Sequence, residues 1–400
     1  MINQYQLSLL SLSILLIASC SNQDGSRFDP SLIQSVQLSN ELSLQYYSSD
    51  TLSIDNSFIG DYLDYQTIER NDTNFLVGIN ARDHALDIIN LTTKTSENQI
   101  YFQSEGPDGI EGAIDGFFYH NKDTIFILSI DENSIHLMND RAQKIDEFNF
   151  DQLPLPDGFS NYDVYADQGL MNDPYYNSED KTLQFYTYRW VNPSEDNYDY
   201  KAFASYSIVN RAFKTIYGNY PDNYKKGINY SLYNDPGLLT VGDTSYVYFG
   251  TSSKILCYDN VNGKLLSIGN YSCEHWPGEP QSLPRNADFQ QGQDWLTSTA
   301  AYIFLLYDED RNLFYRLMKH SQPVTNSANL FNPRWSGKWC IDIFDKSLNP
   351  IGHSEIPSKW ALPAISFVSN GELWLKNPSS EVEEGVSLYH RMKIQENEKD

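Results

Sequence analysis

Side chains able to do chemistry are plentiful in this chain, but few of them stand at spacings that chemistry uses. The densest set is the loop Glu105-Gly-Pro-Asp-Gly-Ile-Glu-Gly112. Glu105, Asp108 and Glu111 crowd three carboxylates onto a backbone that Gly106, Gly109 and Gly112 free to turn left-handed and that Pro107 fixes at one dihedral. Such a loop could hold a Ca²⁺, which takes roughly six to eight oxygen ligands. The spacing matches no calcium loop, and a structured turn between two sheet units accounts for the same residues. Cys273-Glu-His-Trp276 sets thiol, carboxylate and imidazole side by side. Adjacent residues seldom point at one ion, and the CxxC or HxxxH spacing of metal sites is absent, so no metal is expected there. His84, His120, His136, His320, His353 and His390 are scattered singly. No G-x-S-x-G elbow, phosphate loop, dinucleotide fingerprint or HExxH pair appears, so no catalytic residue is nominated and no cofactor beyond Ca²⁺ comes into question.

One cysteine has a chemistry of its own. Leu7 to Ile17 is an apolar run interrupted only by serines, the length of a signal-peptide core and too short to span a bilayer. Ile17-Ala-Ser-Cys20 closes it and resembles the lipobox of bacterial lipoproteins, in which the cysteine becomes the lipidated first residue. Residues 1–19 then read as a lipoprotein signal peptide, Cys20 as the lipidated (palmitate-bearing) residue, 20–37 as a tether and 38–400 as one folded domain. That implies an outer-membrane protein held by lipid alone, on a face the sequence leaves open.

Cys257, Cys273 and Cys340 remain, an odd number. In an exported chain Cys257 and Cys273 are the nearest pair for a disulfide. The turn at Asn262-Gly263 would put Leu266 or a near neighbour opposite Cys257, so Cys273 could reach it only if the chain folds back.

The balance of 53 acidic against 28 basic residues gives a formal charge of -25, a field that repels phosphate backbones and makes nucleic acid a poor partner. With 29 Tyr, 20 Phe and 7 Trp the chain could build a stacking platform for a glycan or peptide, although half-buried sheet surfaces use the same residues.

The elements that must position these groups are strands. Asn74–Asn80 and Ala85–Leu91, Thr124–Ile130 and Ser134–Met138, Leu183–Tyr188 and Ala202–Ile208, and Tyr246–Phe249 and Lys254–Tyr258 form pairs of β-branched and aromatic runs closed by turn residues. Six such units are expected near 56–105, 112–155, 160–222, 235–275, 290–357 and 360–395. The last lacks a final strand, which Leu42–Tyr47 or Thr51–Ile54 could supply. The fold expected is all-β, a six-bladed β-propeller closed by an N-terminal strand; seven blades or paired β-sandwiches are the alternatives. Long loops at 151–167, 192–200, 219–236 and 273–293 carry Tyr162, Tyr165, Tyr175, Tyr176, Trp190 and Trp276 in or beside them, a candidate aromatic face; Tyr198, Tyr200, Tyr220 and Tyr224 lie in the same segments.

Ser104-Glu-Gly-Pro-Asp-Gly-Ile-Glu-Gly112, Gly116-Phe-Phe118, Asp123-Thr-Ile-Phe126 and Glu309-Asp-Arg-Asn-Leu-Phe-Tyr-Arg316 occur in an order that resembles a family of Bacteroidota lipoproteins of about this length, itself related to six-bladed β-propellers. The resemblance covers about residues 40–395 and implies that fold and outer-membrane attachment. The family has no agreed activity, so no residue role carries over. The resulting expectation is an envelope-anchored scaffold that binds a protein, peptide or glycan on one face. A hydrolase or lyase acting on extracellular polymer at the channel mouth is the alternative, and a structural subunit of an envelope assembly is a third class.

Overall fold

The computed structural model describes residues 28–53, 64–152, 165–167, 174–188, 198–284, 286–328, 330–357, 362–377 and 386–397. The fold is all-β apart from one α-helix and short 3₁₀ turns among these residues. No helix there is long and apolar enough to cross a membrane.

The strands run as antiparallel meanders in chain order. One begins at Tyr65–Arg70 and ends at Thr95–Tyr101; the second runs from Gly116–Asn121 to Lys144–Asn149. In the third, Tyr165–Asp167 and Tyr175–Asn177 share one edge of Thr182–Tyr188, followed by Lys201–Ser207 and Ala212–Asn219. The fourth runs from Pro236–Val241 to Lys264–Asn270 and the fifth from Ala301–Asp308 to Pro350–Ile356. The sixth has Leu362–Ser369, Glu372–Lys376 and Val386–Glu396, and its fourth strand is Leu42–Ser53, antiparallel to Val386–Glu396. Leu42–Tyr47 and residues 51–53 of the other candidate closing segment thus belong to one strand, with a register shift between Tyr46 and Ser48; Ile54 lies outside the described residues.

Local sequence explains these meanders. The second and third strands of a unit are covered on both faces and read as near-continuous apolar runs: Thr73–Asn80 is buried at six successive positions. Fourth strands alternate instead, as in Lys144–Asn149. Asn71 and Asp72 both adopt positive φ (53° and 58°) between the paired Arg70 and Thr73, the backbone of a two-residue hairpin turn. Asn370 and Gly371 repeat that turn between Ser369 and Glu372.

The units follow one another in space. The first strand of unit one packs on that of unit two, unit four's on unit five's, unit five's on unit six's, and unit six's back on unit one's. The apolar clusters lie across these boundaries. Ile88, Phe117 and Ile127 join units one and two, and Phe126, Ile135 and Phe185 join two and three. Leu52, Leu76, Phe367 and Trp374 join six to one. Units three and four are held by a buried polar knot as well, in which Gln184 Oε1 accepts from Tyr217 Oη at 2.8 Å and from Ser245 Oγ at 2.8 Å.

Two segments differ from expectation. Within the stretch read as tether, Phe28 is buried and Ile33–Ser35 adds a parallel fifth strand to Lys264–Asn270. The stretch read as a loop through residue 293 turns at Phe289 into helix α1, Phe289–Ser298. Asp288 caps it: its carboxylate accepts from the Gln291 amide at 2.8 Å while the Gln291 side chain accepts from the Asp288 amide at 2.9 Å.

Candidate functional site

Charged residues inside fully covered strands mark the candidate site. Leu313–Lys319 and Trp339–Phe344 are buried at every position, yet contain Arg316 and Asp342. Burying an ion without a partner is costly, so apolar strands rarely carry one unless something faces it. Arg316, Asp342 and His353 are register partners across three strands of unit five, as are Met318, Cys340 and Glu355. Side chains two apart share a strand face, so Cys340 and Asp342 point the same way, with His353 and Glu355 beside them. The segment after Lys264–Asn270 of unit four lies against that face and brings Cys273, His275 and Trp276.

The crevice between units four and five runs from dry to wet. At its inner end Cys273 Sγ and Cys340 Sγ are 2.8 Å apart, and Asp342 Oδ1 is 2.8 Å from His353 Nδ1. One ligand atom each from Cys273, Cys340, Asp342 and His353 lies within 4.8 Å of all the others. At the mouth the His275 and Glu355 side chains are exposed and meet at 2.5 Å, while the His275 and His320 rings stand 4.8 Å apart. Arg316 forms the wall: its guanidinium lies 3.6 Å over the Tyr302 ring and donates to the carbonyls of Ser253 at 2.5 Å and Ser252 at 2.8 Å. Tyr302 Oη accepts from the Cys273 amide at 3.1 Å. Three buried polar atoms here have no hydrogen-bond partner: Asp342 Oδ2, Arg316 Nε and His320 Nε2.

The electrostatics follow from burial. Desolvation holds the Asp342 carboxyl above its ordinary range, against the pull of His353. The hydrogen bond to Asp342 raises His353 in turn. Burial and the neighbouring His275, Lys338 and His353 push His320 down to about 4, so it is neutral at pH 7. Of the two thiols, Cys273 is favoured as the thiolate by its contact with Cys340, which is held protonated. The arrangement can bind a cation at its inner end and a polar or charged group at its rim.

The residues singled out from sequence fare unevenly. Glu105 and Glu111 are exposed, and Asp108 accepts from the Lys144 amide at 2.9 Å, tying the loop to unit two. Gly106 and Gly112 take positive φ, Gly109 and Ile110 are buried, and Pro107 is exposed. Among the described residues, ligand-type side chains converge in groups of three or more only in the crevice, and the loop proposed for Ca²⁺ is not such a group. Its glycines serve the turn: a Cβ on Gly112 would lie 2.1 Å from Asp131 Oδ2.

The aromatic face is also corrected. Tyr176 is buried in the core of units two and three, and Tyr175 packs edge-on against Phe118. Tyr198, Tyr220 and Tyr224 are buried together in another core, and Trp276 is half-buried on Tyr302. Tyr162 and Trp190 lie outside the described residues, as does Cys20, and Tyr165 is described by its backbone alone. Tyrosine packs its ring while its hydroxyl finds a partner, so abundance does not mean exposure. Cys257 and Cys273, the nearest pair in sequence, do not meet, as the turn at Asn262-Gly263 argued. Cys257 faces Ser267 across its hairpin, and the neighbour of Cys273 is Cys340. Adjacency alone argues against a metal at Cys273-Glu-His-Trp276. The other ligand-type groups come from strands beginning 66 or more residues later, and the signal for them is a charge inside an apolar strand together with the spacings Cys340-x-Asp342 and His353-x-Glu355.

A family model described as a domain of unknown function, DUF4221, matches residues 35–355. A crystal structure of a DUF4221 family member from Bacteroides vulgatus is similar over 90% of this chain and 100% of that one, with a TM-score of 0.72 and 16% identity. A protein from Bacteroides fragilis, whose name proposes that it is exported, is similar over 92% of this chain and 99% of that one, with a TM-score of 0.52 and 12% identity. At such identities the likeness speaks for the fold alone. No curated protein matches the chain.

Proposed function

This chain belongs to the DUF4221 family, a domain of unknown function, and from that premise we propose that it is an exported, outer-membrane lipoprotein, anchored through Cys20, whose six units form a six-bladed β-propeller serving as a binding scaffold. The ligand is a protein, peptide or glycan rather than a nucleic acid, because a formal charge of -25 repels polyanions. The observation that carries the reading is the crevice between units four and five. It gathers unpartnered buried polar atoms behind an exposed His275–Glu355 rim, and such atoms are costly unless something meets them. The propeller assignment is supported by the contact of the sixth unit's first strand with that of the first, and by Leu42–Ser53 completing the sixth unit. Export is supported by the Ile17–Cys20 junction.

Two measurements test this. In cells, Cys20→Ala should appear in the soluble fraction or stay unprocessed; a mature-length variant still held by membrane overturns the anchor. A photo-crosslinking residue in place of His275 or Glu355 should give discrete adducts in intact cells, while one at exposed Val261, on a turn of unit four, should not. Equal labelling at both places overturns the crevice as the binding locus.

A further inference from the structure

We infer that the inner end of the crevice is a binding site for one divalent cation of the zinc type, held by Cys273, Cys340, Asp342 and His353. The inference rests on the preceding reading only for its place, the same crevice. Geometry comes first. The four side chains present ligand atoms mutually within 4.8 Å, and they come from three separate segments of the chain. Two sulfurs, an imidazole and a carboxylate form a set that selects zinc over Mg²⁺ or Ca²⁺, which prefer all-oxygen cages. Four protein ligands would close the shell, as in structural rather than catalytic sites.

The surroundings fit a cation as well. Asp342 is fully buried, and its Oδ2 has no hydrogen-bond partner. Arg316, its register partner, spends its Nη donors on the Ser252 and Ser253 carbonyls, so it balances charge nearby without capping that oxygen. Binding takes both sulfurs as thiolates and so releases any thiol proton still held, that of Cys340 above all. Two thiolates and a carboxylate around Zn²⁺ leave one net negative charge, which the Arg316 guanidinium faces. The His275–Glu355 pair stands just outside, with ligand atoms within 4.8 Å of one from His353, so a carboxylate lies close to that imidazole.

The sulfurs must part for this. At 2.8 Å they are closer than the roughly 3.7 Å that separates two thiolates on one tetrahedral zinc with bonds of about 2.3 Å. Cys340 is fixed in a central strand, whereas Cys273 lies beyond the end of Lys264–Asn270 in a connecting segment, so Cys273 would move.

The test uses the purified protein kept reduced with a phosphine, titrated with zinc chloride against a chromogenic chelator and, separately, with cobalt(II) read by its thiolate charge-transfer band. One equivalent should bind, raise the melting temperature and survive excess Mg²⁺. Cys273→Ser and His353→Ala should each weaken binding by at least the 10–100-fold typical of supporting residues, while Cys257→Ser, a buried cysteine elsewhere, should leave it unchanged. Two results overturn the site: unchanged affinity in both variants, or a Cys273–Cys340 disulfide in protein isolated from cells without reductant. Should Cys273→Ser not fold, His353→Ala with the cobalt spectrum decides. If zinc fails to bind but the rim still crosslinks, the metal is wrong and the scaffold stands. If zinc binds and the rim gives no adducts, the metal stands and the scaffold is wrong.

Discussion

Lys319 shows how one side chain can set the pH response of the molecule. It is fully buried, and its ammonium donates to two backbone carbonyls, Thr297 at 2.9 Å and His320 at 3.3 Å. The first lies in the last turn of helix α1, where the helix dipole favours a cation. That does not offset burial, which, with Arg334 nearby, pushes the amine down to about 7 from its ordinary 10.5. The folded state therefore prefers the neutral amine while the unfolded chain stays charged. The stability this contributes is present above the unfolded value and is lost as pH falls through about 7. Urea unfolding of the wild type should give a free energy that climbs between about pH 7 and 9.5. Lys319→Met, which keeps the stem and removes the charge, should flatten that climb; the same slope in both proteins would sink the assignment.

At the scale of elements, the strand Leu42–Ser53 holds the seam. It fills the open edge of Val386–Glu396, and its Leu52 is fully buried with Leu76, Ile89, Phe367 and Trp374, residues of the first and sixth units. Asp50 on the same strand pairs with Arg391 at 2.5 Å and also with Lys94 of unit one. Leu52→Ala should cost about 2–5 kcal/mol, the range for emptying a well-packed leucine site. Deleting residues 21–55 should lower the melting temperature of the entire transition, because it leaves Val386–Glu396 with a long unpaired edge and removes Leu52 from the core between the first and sixth units. A truncated protein that melts like the full chain would show that the seam is not structural. Strand pairing, rather than charge, should dominate there: Asp50→Asn is expected to cost less than Leu52→Ala, since asparagine keeps an oxygen that accepts from Arg391 or Lys94.

For the whole molecule, the formal charge of -25 sets the background against which every contact acts. Self-repulsion at that charge opposes compaction and is screened by salt. Raising NaCl from about 10 mM to about 150 mM shortens the screening length from about 30 Å to about 8 Å, so the urea midpoint should rise over that range. A midpoint that falls would mean that favourable ion pairs outweigh the repulsion. Cores that sit at unit boundaries make adjacent units mutually dependent, so unfolding should stay cooperative throughout the titration.

The strands were legible because their determinants are local. Apolar runs of strand length, polar turns such as Asn262-Gly263 and the missing last strand of the sixth unit are features of neighbouring residues, and strands formed where they indicated. Helix α1 escaped this reading because it fills only ten residues of a polar segment, although the Asp288–Gln291 capping pair was there to find. The exposure of the tyrosines could not be read, since a ring that packs and a hydroxyl that bonds serve a core and a surface equally. Nor could the crevice. Cys273 and Cys340 stand 67 residues apart, and the histidines are singletons in sequence. Only the stacking of unit five against the end of unit four puts their side chains on facing surfaces. Strand alternation decides which way a side chain points, but what it points at is decided by the neighbouring unit.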